Sequence, residues 1–356
     1  MNAVDEMAAI ETRVGEFIEK STGRDFHEVG FGEFALALHR FQFQRNEPYA
    51  RYCRALGASD TLQDWRDIPG VPQQAFKHAE LRAFPAGETV ATFHTSGTTG
   101  EGPGRHHFRT LSIYEHALRA GWRHAGLPSQ RPHWLLIPPP EDAPHSSLSH
   151  MMGAVGVFAT DQIWFARQAN SGMQIDLDSL VARAGSSREP IAIFGTALSF
   201  LHLFEQLGER RLALPLGSIA FETGGYKGSG RTLNKATLYA DFTRRLGLPV
   251  ESIWNEYGMT ELSSQCYAHG LSAPHRPPPW LRALVIDPES GAEVPVGGTG
   301  VLKMIDLANV GSVVGIQTQD LAVRRDAGAF ELLGRDPAAL PRGCSRAADE
   351  MLSISS

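Results

Sequence analysis

Between about residues 90 and 260, short apolar runs alternate with stretches of helical periodicity. Four of these runs have the length and composition of buried strands, and each ends at proline, glycine or polar residues: 133–137, 191–194, 218–221 and 252–254. Because such alternation is typical of sheets covered by helical layers, it predicts an α/β fold with layered α/β sheets.

The two flanks of this stretch have different patterns. On the N-terminal side, Ile10, Val14, Phe17 and Ile18 repeat at helical spacing and form one apolar stripe. On the C-terminal side, five short runs separated by glycine and aspartate turns predict a small antiparallel β subdomain, a barrel-like structure or a sheet: 283–286, 300–305, 312–316, 321–324 and 329–333. We therefore expect a helical segment packed on the core (1–88), an α/β core (89–275), the β subdomain (276–333) and a C-terminal tail (334–356).

Composition and charge argue against several classes of protein. The 356 residues include 39 acidic and 33 basic side chains, and this mild acidity disfavours nucleic acid or an anionic membrane as partner. The three cysteines, Cys53, Cys266 and Cys344, form no C-x-x-C pair, so the sequence indicates neither a disulfide framework nor a zinc knuckle. The acidic N-terminus does not resemble a secretory signal, and the apolar stretches are too short for a membrane span. We expect a cytoplasmic protein.

The densest chemical signal is a loop rich in glycine, serine and threonine over residues 94–105. Glycines let successive backbone N–H groups point toward one position, and hydroxyls add donors, so such a loop can wrap phosphate oxygens. It is not a Walker A loop, because no Gly-Lys-Ser/Thr follows at the required spacing. By itself, such a loop is more often a flexible polar turn. Its candidate phosphate ligands are Thr95, Ser96, Gly97, Thr98, Thr99 and Gly100, followed by Arg105 as a candidate positive charge.

Three further segments carry groups suited to the rest of a nucleotide. After one predicted strand come Tyr257, Gly258, Met259, Thr260 and Glu261. In that sequence the tyrosine could cover a base, the threonine could donate to phosphate and the glutamate could hold Mg²⁺. After another strand, Gly224 and Gly225, followed by Tyr226, would let an adenine ring lie against bare backbone. Asp320 could accept hydrogen bonds from ribose hydroxyls, although an aspartate between two strand-like runs is most often a turn residue.

Together and in this order, the phosphate loop, residues 257–261 and Asp320 resemble the motifs of the adenylate-forming superfamily, which includes acyl-CoA synthetases, nonribosomal peptide adenylation domains and firefly luciferase. Residues 95–100 match its phosphate loop, residues 257–261 its Tyr-Gly-x-Thr-Glu motif and Asp320 its ribose-binding aspartate. Gly334 and Arg335 match the Gly-Arg at its domain hinge. The resemblance spans residues 90–335. It implies the fold of the superfamily's large N-terminal domain, nucleotide and acid binding in the core, and the use of ATP and Mg²⁺.

The chain departs from this superfamily pattern in two places. Gly104 and Arg105 stand where a lysine usually follows the phosphate loop, and a guanidinium fork differs in geometry from an ammonium point charge. The 21 residues after Arg335 are fewer than the roughly 40 that an independent fold needs. We therefore expect the C-terminal lid domain, with its catalytic lysine, to be absent. Lys227 is the candidate to replace that lysine, the alternative being a solvated surface lysine.

The short tail narrows the resemblance to the acyl-protein synthetase family, the synthetase component of bacterial luminescence fatty-acid reductases. The chain is more distantly similar to phenylacetate-CoA ligases. In the acyl-protein synthetase family the acyl group passes from AMP to a cysteine near the C-terminus and then to a reductase partner, and Cys344 occupies the matching place. Arg342 and Arg346 flank Cys344 and could favour its thiolate. The alternative is a passive, buried thiol.

The resemblance implies activation of a carboxylic acid, fatty or aryl, to acyl-AMP with release of pyrophosphate, followed by acyl transfer to a thiol. His145 and His150 are candidates for the border of the acid pocket, although loop histidines are commonly plain surface residues. The acyl acceptor is left open among Cys344, coenzyme A and a carrier protein, as is the identity of the acid. Two rival functions are a free-standing acid–CoA ligase and a nucleotide-binding subunit that has lost catalysis.

Overall fold

The computed structural model of this chain describes residues 3–23, 30–95, 102–169, 172–224, 234–335 and 351. Within them the α-helices are α1 (Ala3–Ser21), α2 (Phe31–Arg45), α3 (Glu47–Ala55), α4 (Ser112–His124), α5 (Ser147–Ala154), α6 (Leu177–Ser186), α7 (Ala197–Leu207) and α8 (Lys235–Asp241). The strands are β1 (Val71–Pro72), β2 (Ala91–His94), β3 (Arg105–Phe108), β4 (Arg131–Leu135), β5 (Ala159–Trp164), β6 (Ala166–Ala169), β7 (Gly172–Ile175), β8 (Ala192–Thr196), β9 (Ile219–Thr223), β10 (Ile253–Tyr257), β11 (Cys266–His269), β12 (Leu281–Ile286), β13 (Thr299–Asp306), β14 (Gly315–Arg324) and β15 (Phe330–Arg335). None of these helices combines the length and apolar character needed to cross a membrane.

The described chain divides into two compact units. The first unit lies within Met1–Ala125, Met259–Gln265 and Arg276–Ser356, and the second within Gly126–Gly258 and Cys266–His275. The N-terminal helices and the C-terminal strands therefore belong to one unit. The four-segment division expected from the sequence stays a prediction.

The core of the first unit joins the N-terminal helices to the C-terminal strands. Val14 and Ile18 are buried in a cluster that also contains Val301 and Ile305 of β13, and the other two residues of the predicted stripe pack against that cluster. The stripe is thus confirmed as the face that α1 buries. The helical pattern ends earlier than the sequence suggests, because residues 56–88 form turns, short 3₁₀ segments and β1.

The C-terminal strands of the first unit form one open sheet. β12, β13 and β14 pair antiparallel in that order, while β15 pairs antiparallel and β1 parallel with the free side of β14. The sequence predicted two separate strands, 312–316 and 321–324, and this prediction is wrong. The structure has one strand, β14, which includes the polar residues between the two runs. Gln317 and Thr318 remain in the strand because both side chains donate to the Leu302 carbonyl, at 3.0 and 2.9 Å.

The second unit is a six-stranded sheet with helices packed on it. The four predicted strands of the core become β4, β8, β9 and β10, which are parallel, and the sheet order is β11-β10-β9-β8-β4-β5. Helices α6, α7 and α8 each begin at a polar N-cap whose side chain accepts a backbone N–H: Asp176, Thr196 and Asn234. Their apolar faces share one buried cluster with strands β8, β9 and β10. The predicted α/β fold is confirmed.

Candidate active site

The candidate phosphate loop connects β2 to β3 in the first unit. At its base Thr95 and Gly104 are bonded to each other: the Thr95 amide donates to the Gly104 carbonyl at 2.9 Å, and the Gly104 amide donates to Thr95 Oγ1 at 2.8 Å. A Cβ at residue 104 would lie 3.1 Å from the Thr95 side chain and 3.3 Å from the Phe76 backbone, which explains the glycine. Ser96, Gly97, Thr98, Thr99 and Gly100 lie outside the described residues.

Arg105 follows this loop and is oriented by a carboxylate. Its Nη2 lies 2.8 Å from Oε1 of Glu80, whose other oxygen contacts Arg82 and, at 3.1 Å, His107 Nε2. Burial lowers the pKa of His107, with Glu80 acting in the opposite direction. Since the Arg105 and Glu80 side chains are 49% and 42% exposed, this pair contributes little to stability. Its effect is to fix the direction of the guanidinium beside the loop.

Thr260 and Glu261 lie in a turn of the first unit, where the Leu262 amide donates to the Met259 carbonyl at 3.1 Å. The Thr260 hydroxyl donates to the His94 carbonyl at 3.4 Å, so the structure brings this turn to the base of the candidate phosphate loop. Two buried side chains hold the turn's carbonyls. His106 Nδ1 lies 2.8 Å from the backbone carbonyl oxygen of Thr260, and Asn309 Nδ2 donates to the backbone carbonyl oxygen of Glu261 at 2.9 Å.

The protonation state of His106 fixes its role. Burial lowers the pKa of His106 to about 4, so the ring is neutral at pH 7. A neutral ring carries one N–H, and the carbonyl of Thr260 can only accept, so Nδ1 is the donor. The one sequence signal for His106 was its place beside the loop.

Asp306 is a buried carboxylate that sequence reasoning missed. It ends β13, is fully buried, and accepts hydrogen bonds from the segment that follows Glu261: from the Ser263 amide at 2.9 Å and the Ser264 hydroxyl at 2.7 Å. Burial raises the pKa of Asp306 to about 6, although its hydrogen bonds act to lower it. The one available signal was an aspartate at the end of an apolar strand-like run.

Asp320 and Arg335 are brought together across the β14–β15 pair. Their Cα atoms are register partners, and Arg335 Nε donates to Asp320 Oδ1 at 3.0 Å. Asp320 lies inside a strand and not in a turn, and its amide donates to Thr318 Oγ1 at 3.1 Å. The resemblance assigned these two residues to separate motifs, and their pairing was not expected.

In the second unit, Tyr257 ends the parallel strand β10, Gly258 follows it, and Gly224 follows β9. These positions are at the carboxyl ends of adjacent parallel strands, the edge where open α/β sheets bind ligands. Tyr257 is buried, and its ring centroid lies 6.0 Å from that of His275. Gly225, Tyr226 and Lys227 lie outside the described residues.

A buried polar network at the same strand ends was not expected from the sequence. Asn255 donates from Nδ2 to both the backbone oxygen and the carboxylate of Glu222, and its Oδ1 lies 2.7 Å from His275 Nε2. Burial lowers the pKa of His275 to about 3, so this neutral ring donates to Asn255. Burial also raises the pKa of Glu222, and of the neighbouring Glu256, to about 7. Polar residues at the ends of apolar strands were the available signal.

The remaining candidates are the two histidines predicted to border the acid pocket and the cysteines. His145 is exposed, whereas His150 is half-buried in α5, and nothing in the structure tests their role in acid binding. Cys344 lies outside the described residues. Cys53 and Cys266 are buried, and burial raises the pKa of the Cys53 thiol to about 12, which disfavours a reactive thiolate at Cys53. Across the described ranges, no group of three or more His, Cys, Asp or Glu side chains is arranged to hold a metal ion.

Two sequence comparisons point to one family of proteins. Residues 21–353 match the model of the family described as acyl-protein synthetase, LuxE. The chain is also 24% identical over 314 residues to the long-chain-fatty-acid–luciferin-component ligase of Aliivibrio fischeri, covering 80% of this chain and 77% of that protein.

Solved structures of two ligases resemble the fold. A complex of 2-hydroxyisobutyryl-CoA ligase with 2-HIB-AMP and CoA matches with a TM-score of 0.64 at 15% identity, covering 94% of this chain and 69% of that chain. ATP-bound MatB of Rhodopseudomonas palustris matches with a TM-score of 0.50 at 18% identity, covering 79% of this chain. The chain spans about half of MatB, 51% of its length. At these identities the likeness shows a shared fold.

Proposed function

Since this chain belongs to the acyl-protein synthetase (LuxE) family, we propose that it uses ATP to convert a carboxylic acid to acyl-AMP and then transfers the acyl group to a thiol. The structural observation that carries the proposal is the hydrogen bond between the Thr260 hydroxyl and the His94 carbonyl. It places the Thr-Glu turn at the base of the glycine-rich loop, as binding of one polyphosphate by both would require.

The proposed first step is an in-line attack by a carboxylate oxygen of the acid on the α-phosphorus of ATP. A new O–P bond forms while the bond from the α-phosphorus to the bridging oxygen breaks, and its electron pair leaves with pyrophosphate. No proton transfer is needed. The protein's work is therefore to hold phosphates and align two anions, a task for oriented donors and not for a nucleophilic side chain.

We assign the phosphates to the loop and the turn. Thr95, Ser96, Gly97, Thr98, Thr99 and Gly100 bind the β- and γ-phosphates, and Arg105 supplies positive charge beside them. Thr260 binds the α-phosphate and Glu261 would hold Mg²⁺. Mg²⁺ usually takes one or two carboxylates together with substrate phosphates, so a single glutamate in this turn fits it, and the bound ion would neutralise phosphate charge. Lys227 is assigned to the carboxylate or the α-phosphate.

We assign the base and the ribose of the nucleoside to different residues. Tyr257 and Gly258, with Gly224, Gly225 and Tyr226, bind the base. Asp320 accepts hydrogen bonds from the ribose hydroxyls, and the ion pair with Arg335 fixes one of its oxygens. His145 and His150 are assigned to the border of the acid pocket.

The family and one relative support a proposal for the substrate class and the partner. The Aliivibrio fischeri relative is named for a long-chain fatty acid and a luciferin component. We propose a fatty acid as substrate. In the second step the Cys344 thiolate attacks the carbonyl carbon of acyl-AMP, a C–S bond forms, the C–O bond of the anhydride breaks, and AMP leaves with its electron pair. The resulting thioester is the form in which the acyl group passes to an acyl-reductase partner. Coenzyme A or a carrier-protein thiol is the alternative acceptor, and an aryl acid the alternative substrate.

The test is ATP–pyrophosphate exchange by the purified chain with Mg²⁺ and a panel of fatty, aryl and amino acids. We expect exchange that depends on the acid and is strongest with one class of the panel. Absence of exchange with every acid, in a chain shown to bind ATP, would contradict the proposal and favour a nucleotide-binding subunit without catalysis.

A further inference from the structure

The segment Met259–Gln265 carries Thr260 and Glu261, yet it contains neither helix nor strand. Because no ladder of backbone hydrogen bonds fixes it, its position depends on bonds from side chains. His106 and Asn309 bind the carbonyl oxygens of its first half. Asp306 binds donors of its second half, so the segment is held at both ends.

Asp306 is suited to this task because a carboxylate is purely an acceptor with two oxygens. Oδ2 accepts from the Ser263 amide at 2.9 Å, while Oδ1 accepts from the Ser264 hydroxyl at 2.7 Å and the Ala308 amide at 2.9 Å. Trp280 Nε1 donates to Ser264 Oγ at 3.1 Å, which directs the hydroxyl proton of Ser264 toward Asp306. The aspartate thus ties the segment to β13 at two consecutive residues.

We propose that Asp306 is a positioning residue that sets the geometry of Thr260 and Glu261 for adenylation; this inference rests on the proposed function. Ser263 lies two residues after Glu261, and the segment between them has no glycine to absorb a shift. Displacement of Ser263 therefore moves the turn. Asp306 is fully buried and its bonds go to protein donors, so it acts through the turn and not on substrate.

The decisive variant is Asp306→Asn, which keeps the shape but places an NH₂ where an acceptor is needed. Misplacement of reacting groups by about 1 Å can lower rates on the order of 100-fold. We expect the rate of acid-dependent ATP–pyrophosphate exchange to fall roughly 10- to 100-fold, with a smaller change in the KM for the acid. The Mg²⁺ concentration for half-maximal exchange should rise, because Glu261 has moved.

The matched control is Ile305→Ala, one residue earlier on β13, which removes a core side chain and leaves the bonds to Ser263 and Ser264. If stability alone were involved, both variants would lose exchange in proportion to their loss of thermal stability. That result would overturn the proposal. Ser264→Ala removes the hydroxyl that donates to Asp306 and accepts from Trp280, and it keeps the buried carboxylate. It should lose several-fold in rate and serves if Asp306→Asn does not fold.

Hydrogen–deuterium exchange separates this inference from the proposed function. Amides of residues 259–265 should exchange faster in Asp306→Asn than in wild type, whereas Ile305→Ala should leave them near the wild-type rate. If wild type shows no pyrophosphate exchange, the proposed function fails, and amide exchange still reports whether Asp306 fixes the segment. Unchanged amide exchange in both the Asp306 and Ser264 variants would overturn the inference whatever the activity.

Discussion

Arg335 donates from its Nε to Oδ1 of Asp320 at 3.0 Å, between the paired strands β15 and β14 of the first unit. The side chains are 33% and 12% exposed, so the pair is partly shielded from water. One carboxylate oxygen is thus committed to the guanidinium. A ligand that approaches Asp320 meets a carboxylate with a fixed plane.

Asp320→Asn tests ribose binding. An amide can accept through only one atom, so we expect the KM for ATP to rise about 10-fold, as for loss of a charged hydrogen bond of roughly 1.5 kcal/mol. Wild type should discriminate ATP from 2′-deoxy-ATP, and the variant should lose much of this discrimination. Glu331→Gln removes an exposed ion pair between β15 and Arg325, the residue that follows β14. This control variant should keep the discrimination between ATP and 2′-deoxy-ATP.

His106→Ala tests the bond to the Thr260 carbonyl. The variant leaves that carbonyl without its buried donor, and we expect pyrophosphate exchange to slow about 10-fold through displacement of Thr260. His106→Asn places an amide N–H near the position of Nδ1 and should recover part of the rate. Equal rates in the two variants would contradict the role as a donor. His107→Asn, at the next position, controls for general disturbance of β3.

The pH dependence of stability tests the burial of Glu222. Its pKa is raised to about 7 in the folded chain from a usual 4.5, so between these values the folded chain keeps a proton that the unfolded chain has lost. The stability that this group contributes is present below about pH 4.5 and is lost as pH rises through about 7.

Glu222→Gln mimics the protonated carboxyl and should remove this dependence. From pH 5 to 8, wild type should lose up to about 3 kcal/mol of unfolding free energy relative to the variant, measured by urea denaturation. The exposed Glu251→Gln change in the same unit is the control and should run parallel to wild type. If the unfolding free energies of Glu222→Gln and wild type changed in parallel with pH, the Glu222 carboxyl would ionise in the folded chain at no cost in stability.

Cys344→Ser separates acid activation from acyl transfer. With ATP and the preferred acid, wild type should gain the mass of one acyl group in a hydroxylamine-sensitive bond. The variant should keep pyrophosphate exchange and lose the stable adduct. Acylation that persists in the variant would move the acceptor to another group, and release of acyl-CoA on addition of coenzyme A would favour the free-standing ligase.

The local spacing of apolar residues predicted much of the fold. The features that it did not predict depend on hydrogen bonds between residues far apart in the sequence. The four predicted strands of the second unit, β4, β8, β9 and β10, contain short apolar runs, so their places could be read from neighbouring residues. His106 bonds to a residue 154 positions away, and Asp306 to one 43 positions away, so no local pattern indicates either role. β14 was divided for the same reason, because the partner that satisfies Gln317 is the Leu302 carbonyl of another strand.

The first unit is assembled from separate stretches of the chain, and this has a consequence for synthesis on the ribosome. Val14 and Ile18 share their buried cluster with residues of α2 and α4 and with Val301 and Val314, so the apolar face of α1 is fully covered only when nearly the whole chain has been translated. The second unit is almost continuous and can condense earlier. A nascent chain that stops before β14 therefore leaves part of the apolar surface of its N-terminal helices exposed, the kind of surface that chaperones bind.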